Sequence, residues 1–462
     1  MDPLARDVLA RLPLAEAVLS IWAFLTDAPL LQGLFERFRG RCYEKVIAFP
    51  TMVQLIADAL LQYHGSGRQA FQRAVDHGEL TASLVAAYGK LRRLPVPLSI
   101  AFHATLTQHL SELFPAQPAI AVPASVQDLE LVILDGKAIK RVAKRLKPLR
   151  GLAGGVLGGR ALVALQVRTG LAIALHAHPD GDANDVRFLG DVLPEVRRLL
   201  TGSRLYIADR QFCGLKQIAN FQEAGDHFLV RYSKALPFQR DRHHPLRQGH
   251  DAEGRSYTEE WGWLGSAHNP LRVYVRRLTL VRPQQESIIL VTDLLEADSY
   301  PAVDLLAAYL QRWGIERVFQ EITEVFHLQA LIGGSPEATI FQLAFCLVLY
   351  NIVQVLRAYA AQAGKQLLAT VSSEQLFGDL RRQLIAWTEV IDPADTVARF
   401  ARPLPPVELR QRLKRLLASA WTERWRKAKA SKRRPHPVKG KREHSSVFRI
   451  LQDYRRNRSR AG

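Results

Sequence analysis

The chain has 462 residues, more than one hydrophobic core usually serves, so two or three domains are expected, and a hydrophobic content of 48% excludes a disordered polypeptide. Lys and Arg number 63 against 44 Asp and Glu, a net charge of +19, which points to a polyanionic partner, nucleic acid ahead of an anionic membrane surface. Cys42, Cys213 and Cys346 are far apart and odd in number, which argues against a disulfide framework or a cysteine-based zinc site and fits a reducing cytoplasm.

The first residues, "MDPLARDVLARLPLAEAVL", are interrupted by acids and lack the apolar core of a signal peptide. Residues 1–125 show apolar positions at helical spacing, as in "TMVQLIADALLQY", and predict a helical N-terminal domain with DNA binding as its candidate role. From Leu129 the pattern changes to short apolar runs: "LELVILD", "ALVALQVR" and "LAIALHAH", then a helical "DVRFLGDVLPEVRRLL". "RLYIADR" reads as a further strand, "LKQIANFQEAG" as a helix and "HFLVRYS" as a strand. Residues 234–298 begin with a polar loop and continue as alternating stretches such as "RVYVRRLTLVR", a β-rich insertion. Helical spacing returns at "PAVDLLAAYLQRWGIERVFQEITEVFHLQ" and in "IFQLAFCLVLYNIVQVL", which Gln342, Asn351 and Gln354 mark as a buried helix and not a membrane span. A helical region over 358–420 precedes the tail 421–462, which holds 15 Lys and Arg against 3 Asp and Glu. That tail reads as a solvated segment, a phosphate-binding arm, or both.

Two apolar runs end on a carboxylate, Asp135 and Asp209. A lone Asp at a strand end is most often a turn residue. Neighbouring strands lie about 4.8 Å apart, however, so two such ends side by side would bring two carboxylates together. That pair is costly without a cation, and a site of oxygen ligands suits Mg²⁺ or Mn²⁺. Glu316 in "YLQRWGIER" offers a third carboxylate; Tyr309, Arg312 and Glu316 would share one helical face, with Gly314 in mid-helix.

Asp135, Asp209 in "YIADRQF", the helix "YLQRWGIERVF" and the later "YNIVQVL" with Asn351 together resemble the Asp-Asp-Glu triad and Tyr-Arg-Glu-Lys signature of bacterial insertion-sequence transposases, in the family numbered four. The resemblance covers about residues 126–357, with the β-rich insertion before the Glu. It implies an α/β fold with an RNase H-like catalytic core, cut-and-paste DNA transposition, and Asp135, Asp209 and Glu316 as ligands of two Mg²⁺ or Mn²⁺ ions. It further implies Tyr309 and Arg312 as phosphate contacts, a homodimer on the element's terminal inverted repeats and target DNA, no membrane, and a cytoplasmic, nucleoid-associated location. One position departs: the signature Lys, seven residues after the Glu, is Thr323 here. Lys137, Lys140 and Arg317 are the candidate replacements, and "KAIKRVAKRLKPLR" beyond Asp135 would lie against DNA. The alternative reading is a transposase-derived DNA-binding protein with impaired catalysis; a third is a non-transposing nuclease of the same fold.

Asp293, which also ends an apolar run, reads as a turn residue. The cluster "HAHPDGDAND", with His176, His178, Asp180, Asp182 and Asp185, looks metal-like, but acids before a helix are common caps. "GLAGGVLGG" lacks the ending of a phosphate-cradling loop and reads as a flexible hairpin tip. For Trp261 and Trp263 in the insertion the resemblance implies stacking of an unpaired base, with core packing as the alternative, and Trp425 interleaves with the cations of the tail.

Overall fold

The computed structural model describes residues 11–460 apart from 116–121, 140, 141, 143, 145, 284, 331 and 428–443. The run Leu131–Leu134 is apolar at every position because both faces of its strand are covered. This strand, β1 (Glu130–Ala138), lies inside a ten-stranded mixed sheet. After the short β2 (Gly155–Leu157) come β3 (Arg160–Gln166), β4 (Ala172–His178), β5 (Arg204–Ala208) and β6 (His227–Arg231). The sheet order over this part is β4-β3-β1-β5-β6. β1 pairs antiparallel with β3 and parallel with β5, and β5 pairs parallel with β6.

The parallel pairs need crossovers, and helices Leu189–Leu199 and Leu215–Gln222 supply them. Both bury their apolar residues with Val132 and Leu134 on one face of the sheet. Leu131 and Ile133 face the larger core on the other side, built with the helices before residue 114 and after residue 301. The β-rich stretch adds β7 (Phe238–Arg240), β8 (Arg247–His250), β9 (Ser256–Leu264), β10 (Val273–Leu280) and β11 (Ile288–Thr292). These strands continue the same sheet, because β11 takes up the free edge of β6 and β10, β9 and β7 follow it outward.

"GLAGGVLGG" is not a free hairpin tip. Its residues 155–157 form β2, which pairs in parallel with β12 (His444–Ser446) near the C-terminus. Gly155 permits this approach, since a Cβ there would stand 2.8 Å from the His444 ring.

Helix Pro336–Ala363 is long and apolar enough to cross a membrane, yet its most apolar window is entirely buried inside the protein. It packs along helix Val96–Leu113, which joins the N-terminal helices to the sheet. At their crossing Asn351 is fully buried. Its Oδ1 accepts from Ala172 N–H at 2.9 Å, and its Nδ2 donates to Ala172 O at 2.9 Å and to Thr107 Oγ1 at 3.0 Å. Ala172 lies opposite Leu165 on β4, the edge strand of the sheet, and its buried backbone groups take these partners from outside the ladder. Replacing Asn351 by Ala strands the Ala172 N–H in the core and takes one partner from its carbonyl, which keeps His103, at about 1 to 3 kcal/mol for the stranded group. Urea unfolding of Asn351→Ala is therefore expected to show a loss of about 1 to 3 kcal/mol; unchanged stability would exclude the clamp.

His103, one turn before Thr107, has no exposed surface, and burial pushes its imidazole down to about 4 against a weaker opposing bond to the Ala172 backbone. The unfolded chain takes up this proton near pH 6.5 and the folded chain only near pH 4, so stability present above pH 6.5 is lost as pH falls through that window. Between pH 7 and pH 5 His103 is expected to account for a loss of roughly 2 kcal/mol, read by urea titration at both values and absent in His103→Gln.

Candidate active site

β1 does not stop at Asp135, as its apolar run suggested; it continues to Ala138 because β3 keeps pairing with it, Asp135 opposite Val163 and Lys137 opposite Ala161. What stops is the pairing with β5. The last parallel pair is Leu134 with Ala208, after which the chain turns at Asp209 into a 3₁₀ turn, Arg210–Phe212. Asp135 and Asp209 therefore follow directly on a matched pair of residues in adjacent parallel strands, about 4.8 Å apart.

The Glu316 segment forms two helices, Ala302–Leu310 and Trp313–Glu324, where one continuous helix is expected from its spacing. The break comes from a tightened turn: the N–H groups of Gln311 and Arg312 bond back only three residues, to Ala308 and Tyr309. Gly314 thus lies in the first turn of the second helix, and a Cβ there would make only an ordinary contact, 3.8 Å from Leu165 Cδ2. Arg312, at the break, is 6% exposed. Its Nη2 donates to Glu316 Oε1 at 3.0 Å and its Nη1 stands 3.9 Å from Asp135 Oδ2, with the guanidinium 4.7 Å from the centre of the Trp313 ring.

Burial pushes Asp135 up to about 6, and the Glu316 and Asp209 carboxylates add to it, against the Gly136 N–H bonded to its Oδ1 and the Arg312 guanidinium. The Tyr309 hydroxyl is buried and pushed up to about 12, first by burial and further by Asp209, with Arg312 opposing. The fold thus brings Asp135, Asp209, Glu316, Tyr309 and Arg312 into one electrostatic site. Three carboxylates there face one guanidinium.

Asp209 Oδ1 is buried with no hydrogen-bond partner. Among the described residues no three His, Cys, Asp or Glu side chains converge closely enough, as they stand, to hold a metal ion. Arg312 instead occupies the space between Asp135 and Glu316. The donor set still fits a hard cation: carboxylate oxygens only, one of them without a partner, and an excess of negative charge around a half-buried Asp135.

Lys137 points along the same helix. Its Nζ donates to Thr323 Oγ1 at 3.1 Å and to Phe319 O at 3.3 Å. A cation from β1 therefore stands at the position where the helix itself carries Thr323. Lys140 lies outside the described residues.

Other candidates resolve into structural roles. Asp293 accepts from Phe228 N–H at 3.0 Å and holds His227, as a turn carboxylate does. Asn184 caps the turn that leads into helix Leu189–Leu199, and Asp180 accepts from Asp182 N–H and pairs with Arg449. Asp185 does not cap; it is 1% exposed and paired with Arg160 at 2.8 Å. Trp261 is buried, with the His244 ring stacked on it at 3.9 Å and its Nε1 donating to Leu295 O. Trp263 packs edge-on against Tyr274. Trp425 is buried and donates to Asp379, so it belongs to the core and not to a DNA-facing tail. The metal-like cluster singled out Asp185 but gave no sign of Arg160 as its partner; the hint of a close approach is the glycine after Asp135.

These features define a mixed α/β protein with a large sheet, a carboxylate beside each of two adjacent parallel strands, and a third on a helix laid against them. Residues 127–352, which hold all three carboxylates, match the family model described as the transposase DDE domain, and this supports a transposase of the Asp-Asp-Glu type. A curated relative, "Putative transposase y4zB" of Sinorhizobium fredii, is 26% identical over 154 residues, 32% of this chain. The chain spans 42% of that relative's length. Among solved structures, the piggyBac transposase synaptic complex with hairpin DNA aligns over 88% of both chains at 10% identity and a TM-score of 0.42, too low to carry an argument.

Proposed function

We propose that this chain is a DNA transposase in which Asp135, Asp209 and Glu316 hold divalent metal, Mg²⁺ or Mn²⁺, on an RNase H-like core. The observation that carries the reading is the meeting of these three carboxylates around Arg312, with an unpartnered oxygen on Asp209, inside the segment similar to transposase DDE domains. The sheet order β4-β3-β1-β5-β6, with three antiparallel strands followed by two parallel to β1, supports the RNase H-like assignment. Held by these residues, two metal ions would supply activation of a water or 3′-hydroxyl and stabilisation of the leaving oxygen of the phosphodiester.

The chain's own groups position the DNA. Lys137 presents an ammonium at Thr323, on the helix that carries Glu316, in the role the signature gives to the residue at that position. Arg312 balances the carboxylates in the metal-free protein, and its planar fork suits phosphate once they are neutralised otherwise. Tyr309 lies beneath Arg312 and supports it. A homodimer bridged by the element ends, working in the cytoplasm at the nucleoid, completes the reading.

DNA outside the cleavage site has a candidate path. A groove of about 1070 Å³ between helix Leu84–Arg93 and the start of helix Pro336–Ala363 carries Arg68, Arg92 and Arg93 and, among the described residues, is lined by no Asp or Glu. Reversing Arg92 and Arg93 to Glu is expected to weaken duplex binding and to lower the slope of log K against log salt by about two, measured by fluorescence anisotropy. An unchanged slope would remove the groove from the path.

The reading as a whole is tested by incubating the purified protein with duplexes that carry the gene's flanking DNA, with Mg²⁺ or with chelator. Strand cleavage at the element ends only with metal is the expected result. Tight binding without cleavage in either Mg²⁺ or Mn²⁺ makes the chain a DNA-binding descendant.

A further inference from the structure

We infer that Asp185 is a positioning residue that sets the separation of Asp135 and Asp209. The inference rests on reading those two carboxylates as metal ligands. β1 and β5 run side by side only as far as Leu134 and Ala208, and beyond that pair they part. β1 stays with β3, while the chain after Asp209 turns away. The Asp185 carboxylate is tied to both branches of this fork.

On the β1 side it lies against Gly136, the residue after Asp135: a Cβ built there would stand 1.5 Å from Asp185 Oδ2. Only glycine leaves room for it. On the β5 side Gln211, two residues after Asp209, donates to the same oxygen at 3.4 Å. Arg160, at the start of β3 and opposite Ala138, donates to it from Nη2 at 2.8 Å and Nε at 3.3 Å.

A carboxylate that is 1% exposed is an expensive filler, since desolvating a charge costs more than burying an apolar side chain of the same size. Arg160 compensates the charge, and the three contacts give it a single place. That place touches the backbone next to one strand-end carboxylate and the side chain just beyond the other. Removing the wedge lets the two branches close or slide, and the distance between Asp135 and Asp209 is no longer defined.

The test measures Mn²⁺ affinity of the full chain by calorimetry, together with unfolding temperature and cleavage. Asp185→Ala is expected to weaken Mn²⁺ binding by about tenfold or more, the scale on which groups that orient metal ligands act. Asp185→Asn keeps the shape and is expected to recover most of that affinity. Gly136→Ala pushes the carboxylate out from the other side and should reproduce the loss, and Gly136→Ala with Asp185→Ala should be no worse than the poorer single variant. This second route serves if Asp185→Ala does not fold.

Wild-type Mn²⁺ affinity in folded Asp185→Ala, or in folded Gly136→Ala, overturns the inference even if the unfolding temperature falls, because only a packing role then remains. Asp135→Asn separates the two levels. If it loses Mn²⁺ binding while Asp185→Ala does not, the metal-site reading stands and the positioning role is wrong. If it binds Mn²⁺ like the wild type, the metal-site reading itself has failed, and the positioning role fails with it.

Discussion

Asp135→Asn is expected to reduce metal-dependent cleavage by about a hundred- to a thousandfold or more, the scale seen when one preorganised electrostatic group is lost, while duplex binding stays at the wild-type level. The substitution keeps the size of the side chain and its reach to the Gly136 N–H, and removes the charge that a divalent ion requires. Stability should move the other way. The folded-state pKa of Asp135 stands near 6, above the ordinary 3.8, so its ionisation works against the folded state as pH rises from about 4 to 6, and the full penalty is present at neutral pH. Removing it is expected to stabilise the metal-free protein on the order of 1 to 3 kcal/mol at pH 7. Paired cleavage and urea-unfolding measurements check both halves. A variant that cleaves normally would sink the catalytic assignment, and one that is less stable at pH 7 would contradict a carboxylate whose burial outweighs the Gly136 and Arg312 contacts.

The second large effect concerns Lys137. Its ammonium reaches Thr323 from the neighbouring strand, so the cation absent from the helix sequence is restored in space. A lost charge-assisted phosphate contact costs about 1.5 to 3 kcal/mol, so Lys137→Thr is expected to slow cleavage by about ten- to a hundredfold. The exchange Lys137→Thr with Thr323→Lys returns an ammonium to the same place from the helix side and is expected to recover most of that loss. Single-turnover cleavage at saturating DNA reads the chemical step apart from binding. If Lys137→Thr cleaves as the wild type does, the ammonium has no part in the reaction. If it slows and the exchange fails to recover, Lys137 acts through packing against Phe319 instead.

The two strand-end aspartates could be found in the sequence because burial on both faces forces an unbroken apolar run, and a carboxylate at the end of such a run stands out. Glu316 could be found because helical spacing ties it to Tyr309 and Arg312. The buried helix around Asn351 was marked by its own polar interruptions, but nothing local hints that Asn351 satisfies the backbone of Ala172 at the sheet edge, since its partners are 179 and 244 residues away. The break at Gln311–Arg312 escaped for a different reason. All residues there keep helical backbone angles and helical side-chain spacing, and only the hydrogen-bond pattern changes.

By itself the sequence determined the order of strands and helices, the basic character, and the carboxylates available for chemistry, because periodicity, charge and strand ends are local properties of the chain. The tertiary structure alone decided that β1 runs past Asp135, that β7 to β11 extend the central sheet, that Lys137 stands at Thr323, and that Asp185 is wedged between the branches carrying Asp135 and Asp209. Each of these depends on which distant segment supplies a backbone partner or fills a gap, and a contact between residues so far apart in the chain leaves no periodic signal in either of them.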